Sequence, residues 1–316
     1  MRLNLLHKLE NAHEDSVWTA AWAPGSDTLV TGSVDESVKL WREGAAGGGA
    51  LEQAHQFGGV ALGAVSVAAD ATGTYGAVTA LDSSVSVWRF ADYAPVGAGV
   101  AAAPSEAWGA AFLPAAGGGG RALLALAGGS SGAVRLVDVE SGEDVWKAAV
   151  PVGEGRPRKE RFVLAVATSP DGRRVAAGAM DGTVALLDAA TGAVVAKLEG
   201  HFKPVRALAF TPDSRHLLTG CDDGAAHLYD AEAGALVEAF GGHEGWVLGV
   251  APRPGGAGFA TSCSDGRVRL FDLAARALLQ TVADHGDQAW AVAWRADGAR
   301  LASVSDDRAI CVYDCA

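Results

Sequence analysis

The chain repeats itself, and the repeat leaves few folds open. Four segments carry one turn pattern: Thr31-Gly32-Ser33-Val34-Asp35, Thr219-Gly220-Cys221-Asp222-Asp223, Thr261-Ser262-Cys263-Ser264-Asp265 and Ser303-Val304-Ser305-Asp306-Asp307. Six residues after each final Asp stands an aromatic: Trp41, Tyr229, Phe271 and Tyr313. Asp82 and Trp88 keep the offset, and Asp181 keeps the Asp with Leu187 in the aromatic slot. From Asp181 through Asp223 and Asp265 to Asp307 each step is 42 residues, and from Asp35 to Asp82 it is 47. With Ser131 in place of the third Asp, the two remaining steps are 49 and 50. Visible insertions at 44–50, 115–120 and 151–160 account for the longer steps. A period of about 40–45 closed by an aromatic-Asp-like ending is that of four-stranded blades stacked around an axis.

Within each unit the pattern is that of strands. Val38-Lys39-Leu40-Trp41, Val85-Ser86-Val87-Trp88 and Val268-Arg269-Leu270-Phe271 follow Gly, Asp or Ser turns, and no convincing helix appears. Counting turns at 35, 82, 131, 181, 223, 265 and 307 gives seven units. They are expected at about 13–53, 55–103, 105–150, 160–199, 201–241, 243–283 and 285–316, one all-β domain over 1–316. The last unit ends straight after its third strand, at Tyr313-Asp314-Cys315-Ala316. Residues 3–9 precede the first unit and have no other assignment, so they are expected to supply the missing outer strand and close the ring.

A His stands ahead of several units: His13, His55, His201, His243 and His285. Here the chain resembles the WD-repeat family, whose seven-bladed β-propellers hold each blade with a tetrad of this His, a strand Ser/Thr, the turn Asp and the strand aromatic. Carried over, the resemblance implies tetrads of His13, Thr31, Asp35, Trp41; His201, Thr219, Asp223, Tyr229; and His285, Ser303, Asp307, Tyr313. His243, Thr261 and Asp265 begin a fourth, shortened because Phe271 has no polar donor. Blade 2 has Val78 in place of the hydroxyl, and blades 3 and 4 lack the His. A buried Asp beside a His is acceptable only when its hydrogen bonds are made. The recurrence also disposes of a Ser-His-Asp hydrolase, whose catalytic set occurs once.

The segments Ala12-His13-Glu14-Asp15-Ser16-Val17-Trp18, Gly242-His243-Glu244-Gly245-Trp246-Val247-Leu248, Asp284-His285-Gly286-Asp287-Gln288-Ala289-Trp290 and Val312-Tyr313-Asp314-Cys315 are similar to the small Ski-eight type of WD-repeat subunit. That resemblance implies a non-catalytic scaffold of the cytoplasmic Ski (superkiller) mRNA-decay complex, of the nuclear Paf transcription-elongation complex, or of both. It implies partners such as a tetratricopeptide scaffold and an RNA helicase, or Paf subunits, and no cofactor or metal. Adaptors of other large assemblies, ciliary or cytoskeletal, and a reader of modified peptides are the competing readings.

Partners of WD propellers generally meet the face whose loops lead into the innermost strands. Trp18, Trp108 and Trp290 fall near the start of that strand in blades 1, 3 and 7, Trp246 nearby in blade 6, and Arg206 in blade 5. Trp and Arg are enriched at binding hot spots, although the indoles can also serve simply to plug the channel mouth.

Composition sets the remaining bounds. Thirty-seven acidic against 25 basic residues give a charge of −12, which argues against phosphate-neutralising nucleic-acid binding as the main activity. A local basic run, Arg156, Arg158, Lys159 and Arg161, lacks interleaved aromatics and reads better as a solvated loop. Cys221, Cys263, Cys311 and Cys315 contain no C-x-x-C pair and read as reduced core residues. No apolar run approaches the roughly 18 residues a membrane span needs, and the N-terminus lacks a secretory pattern. A monomeric intracellular propeller, cytoplasmic and nuclear, working inside a larger complex is the expectation.

Overall fold

Alternation of apolar and polar residues breaks down in the middle of every unit, and the computed structural model of the chain shows why. It describes residues 1–44, 48–97, 100, 102, 106–114, 120–151 and 161–316. Second strands such as Thr28–Ser33 and Gly258–Cys263 are buried at every position, because a neighbouring blade covers each face. Outer strands such as Asp144–Ala149 are exposed or half-buried along their whole length. The described residues form 27 strands in seven antiparallel sheets, and no α-helix occurs among them. This is an all-β, seven-bladed propeller. Among the described residues no helix is long and apolar enough to cross a membrane.

The core lies between blades. One apolar cluster joins Val17, Leu29 and Trp41 of blade 1 to Ala302, Val304, Ile310 and Val312 of blade 7. Another joins Ala260, Val268 and Leu270 of blade 6 to Leu301 and Tyr313 of blade 7. Packing of this kind needs a closed circle, since an end blade would expose one face.

Closure is made by the N-terminal strand, Leu3–Leu9. It pairs antiparallel with Ile310–Cys315, from Leu3 opposite Cys315 to Leu9 opposite Ile310. Leu3 is 2% exposed within the cluster between blades 6 and 7. Its backbone N–H donates to Gln280 Oε1 of blade 6, and Gln280 Nε2 donates back to its carbonyl, each at 2.8 Å.

Two details depart from the expectation. Residues Leu51–Phe57 form the outer strand of blade 1, so blade 2 begins after Phe57 and not at His55. His55 consequently leads no blade, and it stacks on Tyr93 with ring centroids 4.2 Å apart. Among the described residues blade 2 has a three-stranded sheet, its outer edge met by the isolated bridges Trp88–Pro95 and Val85–Val100.

Candidate partner-binding face

The loops between blades and the turns carrying the repeated Asp lie on one face, the upper face. Three clamps there tie each inter-blade loop to the following turn. In blade 1, His13 Nδ1 lies 2.9 Å from Asp35 and Nε2 lies 2.8 Å from Thr31 Oγ1, which also accepts the Trp41 indole N–H at 2.8 Å. The donor inventory orders the chain: indole to hydroxyl, hydroxyl to Nε2, Nδ1–H to carboxylate. Burial alone would raise the Asp35 pKa, but hydrogen bonds from His13 and Ser37 hold it far below the usual carboxylate range. Burial lowers the pKa of His13, against Asp35, so the ring is held neutral.

The other blades vary. Blade 5 joins His201 to Asp223 at 2.7 Å and to Thr219 at 2.6 Å. Tyr229, expected as the fourth member, instead donates to the Glu199 carbonyl and meets His227. The His227 ring stacks on His201 at 3.9 Å. In blade 7, His285 contacts Ser303 at 2.7 Å and both Asp307 oxygens at 3.2 Å. The buried Tyr313 hydroxyl meets no partner at hydrogen-bond geometry among the described residues.

Blade 6 differs most. His243 still meets Thr261 at 2.9 Å, but its Nδ1 turns to the Gly224 carbonyl. Asp265 is taken by Arg269, 2% exposed, whose guanidinium grips both carboxylate oxygens at 3.2 and 2.6 Å. A buried guanidinium leaves no alternative, since an unpaired one costs several kcal/mol. Asp265 is held at about 2, burial pulling it up and Arg269 pulling it down further.

His201, Cys221 and Asp223 bring potential metal-ligand atoms within 4.8 Å of one another. Both His201 nitrogens and the carboxylate are already engaged in the clamp, and burial pushes the Cys221 thiol far above its ordinary pKa. In the His-Asp-hydroxyl sets of blades 1 and 7, His13, Thr31, His285 and Ser303 are all buried.

The channel mouth lies inside this ring of clamps. Six of the seven inner strands, all but that of blade 3, open with a bulge, and the extra residues are Trp18, Val65, Leu164, Arg206, Leu248 and Trp290. A bulge re-aims its side chain, and all six line one cavity of about 470 Å³ together with Trp108. Of the five residues singled out in the sequence, Trp18, Trp108, Arg206 and Trp290 meet here. Trp246 stands outside the cavity wall, 45% exposed, under the Arg206 guanidinium at 5.2 Å.

Trp18 and Trp290 are adjacent across the closure, centroids 5.1 Å apart and tilted by 34°. Both indole N–H groups donate to Asp306 Oδ1, at 3.3 and 2.7 Å. Arg206 is held by Asp222 through two bonds of 2.6 and 2.8 Å. Trp108 meets Phe162 edge to face at 5.2 Å. The sequence reading missed Asp306, Phe162, Met180 and Phe202. Phe202 is 74% exposed, and an aromatic directly after the Gly200-His201 pair was a signal open to use. Of the basic run, Arg156, Arg158 and Lys159 lie outside the described residues, and Arg161 is exposed.

Comparison with known proteins agrees with this architecture. The family profile "WD domain, G-beta repeat" matches residues 3–42, 155–188, 192–230, 234–272 and 276–314, more than half of the chain. The chain is 41% identical to WD repeat-containing protein VIP3 of Arabidopsis thaliana over 216 residues, 66% of this chain and 64% of that protein. It is 31% identical to WD repeat-containing protein SL1-17 of Schistosoma mansoni over 203 residues, 63% of this chain and 61% of that protein. Each match thus spans less than two thirds of the relative's length. The profile also explains the closure: four of the five matched units run from an outer strand through the next blade's third strand, and in the first of them that outer strand, Leu3–Leu9, belongs to the last blade. With repeats matched over most of the ring and seven sheets closed in this way, the chain belongs to the WD-repeat family.

Proposed function

We propose that this protein is a non-catalytic scaffold that receives a protein partner on its upper face, with a cationic side chain seated at the Trp18–Trp290 corner. The observation that carries the reading is the pair of tilted indoles converging on Asp306. Two ring faces and a carboxylate favour a positive charge, and half-buried Trp side chains are frequent hot spots. The exposed Trp246, Met180 and Phe202 extend the apolar area around the mouth.

At the finer level, the proposed setting is the Ski complex, the Paf complex, or both, in cytoplasm and nucleus. Support comes from the Trp-bearing segments 12–18, 242–248 and 284–290 and the ending 312–315, which are similar to the Ski-eight type. A tetratricopeptide scaffold with an RNA helicase, or Paf subunits, are the proposed partners. Affinity purification of the tagged chain beside its Trp18→Ala/Trp290→Ala variant tests both levels. The expected result is recovery of those partners by the parent and at least tenfold loss in the variant. Equal recovery moves the site off this face; recovery of another assembly removes the complex assignment and leaves the scaffold.

The Trp pair also favours a second reading, capture of a methylated lysine, because it forms two walls of an aromatic cage. A panel of methylated and unmethylated peptides separates the readings: preference for the methylated form supports the reader, and equal binding dismisses it.

A further inference from the structure

Directly after the aromatic slot of the third strand stands an aspartate in five blades: Asp138, Asp188, Asp230, Asp272 and Asp314. In blades 1 and 2 the same position holds Arg42, after Trp41, and Arg89, after Trp88. The two arginines are 47 residues apart, the step that also separates Asp35 from Asp82. Charge is thus reversed at one register in two neighbouring blades.

The aspartate shapes the turn that follows it. Asp138, Asp188 and Asp230 each accept from two backbone N–H groups of that turn, and Asp272 accepts from one. An arginine only donates and cannot replace this cap. Blade 2 moves the cap to Asp92, which accepts from the Ala94 N–H at 3.1 Å and holds Arg89 through bonds of 3.2 and 3.0 Å. The same turn carries a second departure. Its left-handed position is Gly142, Gly192 and Gly234 in blades 3 to 5, at φ of 73°, 72° and 66°, but Tyr93 in blade 2, at 58°. A bulky residue in that region is strained, and strain of this kind gathers at functional sites.

Together the departures build a pocket. Arg42, Arg89, Phe90, Tyr93, Thr28 and Thr74 line a cavity of about 300 Å³ between blades 1 and 2, on the lower face, opposite the partner-binding one. No carboxylate belongs to its lining. The groups left unengaged are donors. Arg42 Nη2 donates to the Tyr93 hydroxyl at 3.3 Å, which leaves the phenol proton to point elsewhere. Thr28 is 5% exposed, and its hydroxyl meets no partner among the described residues. The Ser26 hydroxyl, by contrast, is spent on the Ala23 carbonyl and that of Thr74 on Thr72. Of the carboxylates nearby, Asp27 and Glu43 pair with Arg295 of blade 7. Glu52 stands opposite Arg42 in the strand register and forms no ion pair with it.

We infer that this pocket is an oxyanion site and that its ligand is a phosphoryl group. Two guanidiniums, a phenol and a buried hydroxyl supply more donors than the two oxygens of a carboxylate use, and they match three oxygens carrying a double charge. The tie between Arg89 and Asp92 is fully exposed, and such pairs are weak enough for the guanidinium to turn to a ligand. The volume is at the small end of ligand sites. A phosphorylated serine or threonine of a partner and a small phosphate monoester both present this group. The site lies on the opposite face from the Trp18–Trp290 corner and stands independently of the reading proposed for it.

Phosphorus NMR titration of the full chain, with inorganic phosphate as the probe, tests the inference. The expected result is saturable binding that sulfate displaces and acetate at equal ionic strength does not. Arg42→Gln with Arg89→Gln should weaken it about tenfold or more. Arg173→Gln with Arg215→Gln, which removes two arginines from another lower-face pocket between blades 4 and 5, should leave it unchanged. All four arginines are exposed, so both variants should melt with the parent. Tyr93→Phe keeps the ring on His55 and removes only the hydroxyl, and should weaken binding about threefold. No saturable binding, equal displacement by acetate, or equal weakening in the two double variants overturns the site. Two further arms find the carrier. Retention of the parent on beads bearing degenerate phosphoserine peptides, but not on their unphosphorylated counterparts, and its loss with Arg42→Gln/Arg89→Gln assigns the group to a protein partner. Displacement of phosphate by glycerol 3-phosphate without such retention assigns it to a small ester. Failure of both arms means an adventitious ion only and overturns the inference.

Discussion

In blade 1 the Asp35 carboxylate accepts from His13, from the Glu14 N–H at 3.0 Å and from the Ser37 N–H at 3.0 Å. At the same register of blade 2, Asp82 caps its own turn at the Ser84 N–H, 2.8 Å away. The first carboxylate staples the preceding loop to the turn, and the second shapes only the turn. The difference bears on one of the three insertions that lengthen the period. Each clamp needs His and Asp 22 residues apart and His and hydroxyl 18 apart, so the inner hairpin of a clamped blade has a fixed length. Blades 5 to 7 keep steps of 42 residues, whereas the 115–120 insertion falls between the inner and second strands of unclamped blade 3. The family profile also passes over residues 43–154, the stretch that holds blades 2 and 3.

The largest expected effect comes from comparing outer strands. Blade 2 manages without a regular one because Val96 and Val100, 9% and 5% exposed, cover its third strand. Blade 7 has no such cover once residues 1–9 are deleted, and Cys311, Tyr313 and Cys315 then meet water. The deletion is expected to cost about 5 kcal/mol or more, lowering the melting temperature by roughly 10 °C or more. An unchanged transition would mean that blade 7 resembles blade 2 after all.

Next come the carboxylates. Asp35→Ala leaves the buried His13 Nδ1 with Ser37 Oγ, 3.3 Å away, as its remaining partner, and should cost about 2–4 kcal/mol, while Asp82→Ala should stay within about 0.5 kcal/mol. Chemical denaturation of the two variants reads the difference, and equal losses would show that the staple adds nothing to the turn.

Acid separates the two regions again. Burial, with the nearby Arg269 guanidinium adding to it at His243, lowers His227 and His243 to about 4. A folded pKa below the unfolded value of about 6.5 gives stability that is complete above pH 6.5 and lost progressively as pH falls toward 4. The depressed carboxylates Asp35 and Asp307 add theirs above their unfolded value near 4 and lose it only in stronger acid. Both His lie in blades 5 and 6. His227→Gln should therefore flatten the loss of stability between pH 6.5 and 4 by about 1–3 kcal/mol. A slope equal to the parent's would place the titration elsewhere.

The fold was legible because the repeat constrains every blade at once: turn Asp, following aromatic and strand spacing all report one register. Part of the upper face was legible for the same reason, since Trp18, Arg206 and Trp290 occupy equivalent bulges. What escaped depends on contacts the period does not encode. Asp306 meets Trp18 across the closure, 288 residues away in sequence. Arg269 captures Asp265 through side-chain reach within one blade, and a shared motif says nothing about which neighbour wins. His55 lies 27 residues before Asp82, where a clamp needs 22, so spacing alone could have assigned it to the outer strand of blade 1.

The smallest predicted effect isolates a single hydrogen bond in the same slot of the two regions. Trp41 and Trp88 both stand six residues after their turn Asp, and both are buried, at 4% and 3% exposure. The Trp41 indole N–H reaches Thr31, whereas Val78 occupies the hydroxyl position in blade 2 and the Trp88 N–H has no partner among the described residues. The Trp88 ring instead lies over Gly76, where an added Cβ would sit 2.4 Å from the ring carbons. Replacement by Phe removes similar volume from both places, so the packing losses largely cancel in the difference. Trp41→Phe additionally strands the Thr31 hydroxyl oxygen without its donor, while Trp88→Phe removes a group that was already unsatisfied. Trp41→Phe should therefore cost about 1 kcal/mol more than Trp88→Phe, measured as two denaturation midpoints at equal slope. Equal costs would mean that the aromatic serves blade 1 by bulk alone, and that the clamp ends at the threonine.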